Sequence, residues 1–459
     1  MDKPERRRFD APSALNRSLD NRLEKHANEK NLDPPDMNPA IRFRVTSKNL
    51  LGVATIALFL LFIVMLPRYT ETAKVWYLLL ILTGFFYLVF DFRQIGNTTA
   101  AERTFFTVML LNFAWMACSF YINDQPGRGA ALLWGRHFYY LFLIPMFFLF
   151  RKVNIPDRVI FLGLLCSVVL SLGDILIDIA RNQPYLGKGM NQNGFGPIQL
   201  GLSGILLLYF VYGPDRGLKW LALAGFLVGI ATVVFSHSRS TWMTTIALCV
   251  LFAFYLARPH PLWKQVGITA VVLALLSSSY FLPIVKGRID NGLASVTAYF
   301  ASDDYLDDSR LGTFGTRMEL WKTGWKIFLE NPVTGAGLGS FEAMANTQYD
   351  RFQVNPVVDG FMYVHNQYIA ALATRGIPGL VLLLLVLILP IYIAMTYKSS
   401  GHAERLAQLA VILISLNYII GNLPEDHLET KPATMFLSVM LALWLARISR
   451  QGQMPADER

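Results

Sequence analysis

Charge is scarce in this 459-residue sequence: only 16% of its residues are Asp, Glu, Lys or Arg, while 54% are hydrophobic. Soluble globular domains carry about 25% charged and about 45–50% apolar residues. A soluble enzyme is therefore excluded, and so is a disordered chain. Cysteine is scarce too. Cys118, Cys166 and Cys249 all lie in apolar runs, which gives neither a disulfide framework nor metal-ligand spacing. There is no short-period internal repeat. The strict alternation of membrane β-strands is also missing, because the apolar runs are continuous.

The chain is instead a succession of those runs, with a mean hydropathy of +0.39. A membrane-crossing helix needs about 20 mainly apolar residues. Such runs recur near 49–66, 75–90, 104–121, 130–150, 158–180, 195–212, 217–235, 241–257, 263–285, 377–396, 405–422 and 432–447. The pattern reads as an all-α polytopic membrane protein of about 12 transmembrane helices. The expected organisation is a basic tail over 1–48, nine helices over 49–285, a large helical loop over 286–376, three helices over 377–447 and a tail over 448–459.

A formal charge of +9 suggests nucleic acid until it is located. Much of it sits at membrane edges, where Lys and Arg set topology, so no nucleic-acid partner is expected. No apolar core follows the first basic cluster, Arg6-Arg7-Arg8, so residues 1–48 are not read as a cleavable signal. The short segments on the side of the N-terminus carry 11 Lys and Arg, against 7 in the short segments opposite. The bias puts both termini in the cytoplasm. The 286–376 segment then faces the periplasm of a bacterial inner membrane, since long segments cross largely regardless of charge.

Charged groups inside spans or at their ends are costly and are functional candidates by default. Arg136 lies within the fourth run, where it serves either an anionic ligand or a pair with Asp174 or Asp178. Those two aspartates, four apart on one helix face, also allow an ion pathway, which would make the chain a transporter. Arg239 sits in the polar turn Ser236-His237-Ser238-Arg239-Ser240, where the hydroxyl of Ser238 can support phosphate binding beside the guanidinium. The alternative is an arginine snorkelling to the interface. Gly315–Leu329 reads as an amphipathic helix with Arg317, Trp321, Gly324 and Phe328 on one face. A second helix is expected over Val364–Thr374, stopped by Gly376, with Pro378 opening the next span. His365-Asn366 opens it, and a helix N-terminus disfavours imidazolium, so a neutral His365 can accept a proton. Gln192 and Asn193, in a turn before the sixth span, can hydrogen-bond a glycan or phosphate, as can Asn366. The acidic run Asp303, Asp304, Asp307 and Asp308 reads as a solvated loop beside Arg310 in preference to a metal site. Glu425, Asp426 and His427, in the loop before the last run, are candidates for positioning an acceptor.

Three of these stretches form a pattern. His365-Asn366 is followed after nine residues by Gly376 and, two residues on, by Gly379. This resembles the signature of the O-antigen ligase family, which includes lipopolysaccharide O-antigen ligases and related polymerases. Ser238-Arg239-Ser240-Thr241-Trp242 is similar to the same family. So are Arg317-Met318-Glu319-Leu320-Trp321 and the stretch from Asn331 to Gly339. The long N-terminal tail departs from it.

The resemblance implies a C-type glycosyltransferase-like fold with its site at the periplasmic membrane face. It implies a glycan donor on undecaprenyl pyrophosphate and a sugar hydroxyl of lipid A–core as acceptor, with no metal or nucleotide cofactor. It assigns pyrophosphate to Arg239 and Arg317, with Arg136 as a further candidate, and catalysis to His365. The residue types suit that chemistry. Guanidinium forks bind phosphate oxygens bidentately and stay ionised, and a neutral histidine can take the proton of an attacking hydroxyl. An O-antigen or exopolysaccharide polymerase, or a protein O-glycosylating ligase, shares the donor and differs in acceptor. A transporter of lipid-linked glycan is the more distant alternative.

Overall fold

The computed structural model describes residues 47–122, 130–181, 190–301, 312–352, 355–397 and 401–453. By internal contact the chain divides into Met1–Asn49 and Leu50–Arg459, and the architecture below is that of the second unit. The acidic run at 303–308 and Arg310 lie outside the described residues.

The described residues are helical, with no strand among them. Ten helices are long and apolar enough to cross a membrane: Thr70–Phe90, Ala100–Tyr121, Asp157–Ala180, Gln192–Tyr212, Arg216–Phe235, Arg239–Ala257, Leu262–Phe281, Gln367–Thr396, His402–Gly421 and Lys431–Arg450. The chain is an all-α, multi-pass membrane protein. The other two expected runs differ in form. The first is a shorter apolar helix, Leu50–Met65. The run at 130–150 is two short helices, Ala130–Leu141 and Leu143–Lys152. Pro145 has no N–H to offer the carbonyl four residues back, so the first helix cannot continue through it.

The helices Gln192–Tyr212 and Lys431–Arg450 are the most buried of the set and form the middle of the bundle, whereas Leu262–Phe281 is peripheral. Small residues let the central helices approach closely. A Cβ on Gly196 would lie 1.9 Å from the Thr241 hydroxyl oxygen, so this glycine admits the start of the helix that carries Arg239. Helix ends near one another in the bundle are capped by side chains of the expected type. The Asn191 Oδ1 accepts from the Gly194 N–H at 2.7 Å, the Ser238 hydroxyl from the Thr241 N–H, and the Asn366 Oδ1 from the N–H groups of Tyr368 and Ile369.

The glycines after His365 make a kink. Gln367–Thr396 is one helix by hydrogen bonding, but Gly376 inside it is non-helical, with φ +66° and ψ −168°. The expected stop is thus a break within a helix that begins at Gln367 rather than Val364, because His365 adopts φ +56°. The break frees backbone groups that hydrocarbon cannot satisfy. The segment after Asn331 supplies partners: the N–H of Ala336 donates to the Ala373 carbonyl at 2.8 Å, that of Gly337 to Thr374 at 3.0 Å, and the Ile377 N–H donates to Pro332 at 2.9 Å. The Trp115 indole N–H donates to the Arg375 carbonyl at 2.8 Å. A Cβ on Gly376 would lie 2.1 Å from the Val333 carbonyl oxygen. Gly360 also has positive φ, at +78°, but has open space around it. Gly376→Ala should therefore destabilise well beyond the roughly 1–2 kcal/mol of left-handed backbone strain that Gly360→Ala incurs. Thermal melts of the two variants in detergent check this, and equal melting temperatures would refute the clash.

Candidate active site

The site is organised around a carboxylate. Glu425 lies in the loop between the last two spans, with its side chain only 4% exposed. Burying a charged carboxylate requires donors to replace lost water. The Asn193 amide donates to Oε1 at 2.9 Å, the Arg317 guanidinium donates to the same oxygen, and the His365 Nδ1 lies 3.0 Å from Oε2. Asn193, expected in a turn, lies in the first turn of the helix Gln192–Tyr212, so that helix, the amphipathic helix Gly312–Glu330 and the residue just ahead of the Asn366 cap meet on one group.

His365 is held at every polar atom of its backbone. Its N–H donates to the Asp426 Oδ2 at 2.6 Å, and its carbonyl accepts from the Trp321 indole at 3.0 Å. The Phe361 ring stands edge-on at 6.2 Å. Among the described residues, His237 and His365 are the non-glycine positions with positive φ, at 57° and 56°. Such backbone persists where surroundings enforce it, and both histidines line the same cavity.

Burial works to lower the His365 pKa, but the hydrogen bond to Glu425 and the charges of Glu425 and Asp426 outweigh it. The pKa sits above its ordinary value, against the opposing charge of Arg317. Burial likewise works to raise Glu425, and its pairing with His365 and the charge of Arg317 hold it below its ordinary value. Asp426, wholly buried and near Glu429 and Glu425, is lifted to about 7 despite His365. Burial lowers His427 to about 4, although Glu425 opposes the shift. His427 is therefore neutral at physiological pH, and it is a packed residue.

The polar cavity has a volume of about 590 Å³ and is lined by Gln192, Asn193, His237, Arg239, Arg317 and His365, with Arg288 and several hydroxyl side chains. Among the described residues, three guanidinium groups and no carboxylate line it, a lining that suits an anion. The helix N-terminus at Arg239 adds positive potential. Arg239 also donates to the Thr313 hydroxyl. A second, apolar cavity of about 520 Å³ runs between the helices at 230–246, 275–296 and 313–317, and Arg239, Ser240, Thr313 and Arg317 line both.

Arg239, Arg317, His365, Gln192 and Asn193 thus share one cavity. Three expected residues stand elsewhere. Ser238 and Asn366 are helix caps: the Ser238 hydroxyl is buried and also donates to the Asn193 Oδ1 at 3.1 Å, which leaves Ser240 as the serine of that turn that lines the cavity. Arg136 lines a different cavity, where it donates to the Tyr363 hydroxyl and the Glu429 carbonyl. It pairs with neither aspartate proposed for it, because Asp174 takes a two-bonded ion pair with Arg68. That pairing also occupies one of the two aspartates, Asp174 and Asp178, on which an ion pathway would depend. Sequence reasoning missed Arg288 and the central place of Glu425. Arg288 lies in an unremarkable basic stretch, and nothing in sequence brings Glu425 to a histidine 60 positions away.

The family model of O-antigen ligase matches residues 224–384, which contain Arg239, Arg317, His365, Gly376 and Gly379. The chain carries an O-antigen ligase family domain. It is similar to an uncharacterised protein of Haemophilus influenzae, 20% identical over 382 residues, covering 80% of this chain and 90% of the relative. It is also similar to the exopolysaccharide production protein ExoQ of Rhizobium meliloti, 26% identical over 206 residues, 41% of this chain and 43% of that one. The ligase-family domain gives the chain a glycan-handling role of ligase or polymerase type. Glu425, which binds Arg317 and His365 of the matched region, and Asn193, which accepts from its Ser238, lie outside the matched residues.

Glu425→Gln removes the largest influences that raise His365 and leaves burial, Arg317 and the Asp426 charge in place. The His365 pKa should then fall relative to wild type. Histidine NMR titration in detergent, with His365→Ala assigning the resonance, reads this directly. An unshifted resonance would contradict the pairing.

Proposed function

We propose that the chain is a glycosyltransferase that moves a glycan from undecaprenyl pyrophosphate to a sugar hydroxyl of lipid A–core. Its site would open on the periplasmic face of a bacterial inner membrane, with both termini in the cytoplasm. The observation that carries this reading is the pair of cavities that meet at Arg239 and Arg317. An amphipathic donor needs an apolar channel for its isoprenoid, cations for its diphosphate and a polar chamber for its glycan, in that order along its length.

In this reading the acceptor oxygen attacks the anomeric carbon, and the carbon–oxygen bond to the diphosphate breaks. The bond's electron pair leaves on the diphosphate, and the acceptor's proton passes to His365. Glu425 accepts a hydrogen bond from the Nδ1–H, which leaves the Nε2 lone pair as the base. Arg239, Arg288 and Arg317 balance the charge that grows on the leaving group. Direct displacement inverts the anomeric centre. The relative named for exopolysaccharide production favours a second reading, a polymerase with the same donor and a growing glycan as acceptor.

Purified protein, lipid-linked glycan and a panel of lipid A–core, free glycan and peptide test both readings. His365→Ala should reduce transfer by roughly 10²–10⁴-fold while the protein still inserts. Near-normal transfer would remove the base. Arg239→Lys should lose much of the activity, because a point charge does not replace a fork, and Arg317→Ala should weaken donor use. Full activity of the lysine variant would reduce the role of Arg239 to charge alone. Transfer requires the neutral imidazole, so the rate rises with pH through the His365 pKa. Since that pKa is raised, the rise is centred above pH 6.5, and a rate already at plateau at pH 6 would contradict it.

A further inference from the structure

We propose that the cavity lined by Arg136 and Lys431 is an acceptor subsite for a sugar bearing a carboxylate or phosphate. This rests on the transferase reading for its purpose but not for its chemistry. The cavity has a volume of about 400 Å³, and Tyr69, Glu71, Arg136, Asn191, Tyr363 and Lys431 are among its lining residues. Arg136 spends its Nη1 on the Tyr363 hydroxyl and the Glu429 carbonyl, both at 2.5 Å. Those bonds fix the guanidinium plane, and its Nε and Nη2 make no hydrogen bond among the described residues. Lys431 is bound to Glu71 at 2.6 Å, but the Glu71 side chain is 75% exposed. An exposed pair of that kind is worth little, so an anion can exchange with it.

Two tyrosine rings, the Asn191 amide and threonine hydroxyls complete a wall that matches the mixed faces of a sugar. Among the described residues, Met190 and Pro432 are its apolar side chains apart from the rings. That composition favours a glycan over a lipid, whose acyl chains need the kind of lining found in the other cavity.

Its position relative to His365 gives the subsite its role. Two short segments face both cavities, and a third ties one to the other. In the first, Met190 and Asn191 line this cavity while Gln192 and Asn193 line the polar one. In the second, Tyr363 faces this cavity and His365 the other. In the third, Glu425 holds His365 while Thr430 and Lys431 line this side. Tyr363 and His365 are two residues apart, on the order of 7 Å along an extended chain. A saccharide seated on Arg136 therefore has its next unit within reach of the imidazole.

The test is a titration of the whole protein in phosphatidylcholine nanodiscs with tetragalacturonate and, as the neutral control, maltotetraose. Wild type should bind tetragalacturonate more tightly by about tenfold, the scale of one hydrogen bond to a charged group. Arg136→Gln and Lys431→Gln should each remove most of that preference. Lys431→Gln guards against a folding defect, because the lysine holds only the exposed Glu71. Arg239→Gln should leave the preference in place. The inference is overturned by equal binding of the two saccharides, by variants that bind like wild type, or by a loss with Arg239→Gln equal to that with Arg136→Gln. It is also overturned if exchanging the lipid for phosphatidylglycerol abolishes binding, which would make the cavity a lipid headgroup site. The titration involves no transfer step, so failure of the transferase reading would appear separately, as transfer surviving His365→Ala.

Discussion

A carboxylate removed from water keeps its charge only if donors and cations surround it. Glu425 meets that requirement with groups from three remote parts of the chain, Asn193, Arg317 and His365. The dependence runs both ways. The amphipathic helix Gly312–Glu330 is tied to the bundle at this point, and the imidazole gains its orientation and its raised pKa there. A buried ion pair is weak support for stability when weighed against a hydrophobic replacement. Its value here lies in specificity, because one group fixes the relative positions of the Arg317 guanidinium and the His365 imidazole.

The backbone beneath that carboxylate serves the same end. His365 sits in a left-handed conformation just ahead of the Asn366 cap, and eleven positions after His365 the helix breaks at Gly376. Between the two lies a rigid stretch whose free carbonyls are satisfied by Ala336 and Gly337 on one side and Trp115 on another. Gly335, at φ +66°, has the Arg375 amide nitrogen 2.3 Å from where its Cβ would be. The glycine-rich segment and the kinked helix therefore pack backbone against backbone. The glycines of the pattern do no chemistry. They allow two irregular segments to satisfy each other and so hold the histidine still.

The parts legible in sequence were those set by local rules. Most apolar runs gave the helices and Gly376 marked a break, whereas the division of the run at 130–150 before Pro145 was passed over by periodicity. The face of Arg317, Trp321, Gly324 and Phe328 packs as its spacing suggests, with Trp321 bonded to the His365 carbonyl. Residues whose role depends on distant partners were less legible. Ser238 and Asn366 carry groups able to bind a ligand, and those groups are used by the chain as caps. Arg136 has the right chemistry and the wrong address, because the break before Leu143 and the Glu429 carbonyl direct it to another cavity. Glu425 was visible as a charged residue in a short loop, but its reach to position 365 is a property of helix packing alone.

The meeting of an apolar and a polar cavity at two arginines also bears on energetics. A guanidinium facing an apolar cavity on one side and a polar one on the other is partly desolvated, so its attraction for an anion is stronger than at an open surface. The same position would be unfavourable for an unoccupied cluster of Arg239, Arg288 and Arg317, which repel one another. Glu425 relieves that repulsion at Arg317 without entering the cavity lining. The carboxylate thus keeps the cationic cluster tolerable in the empty protein, and among the described residues it leaves the cavity lining with cationic, hydroxyl and amide groups facing inward.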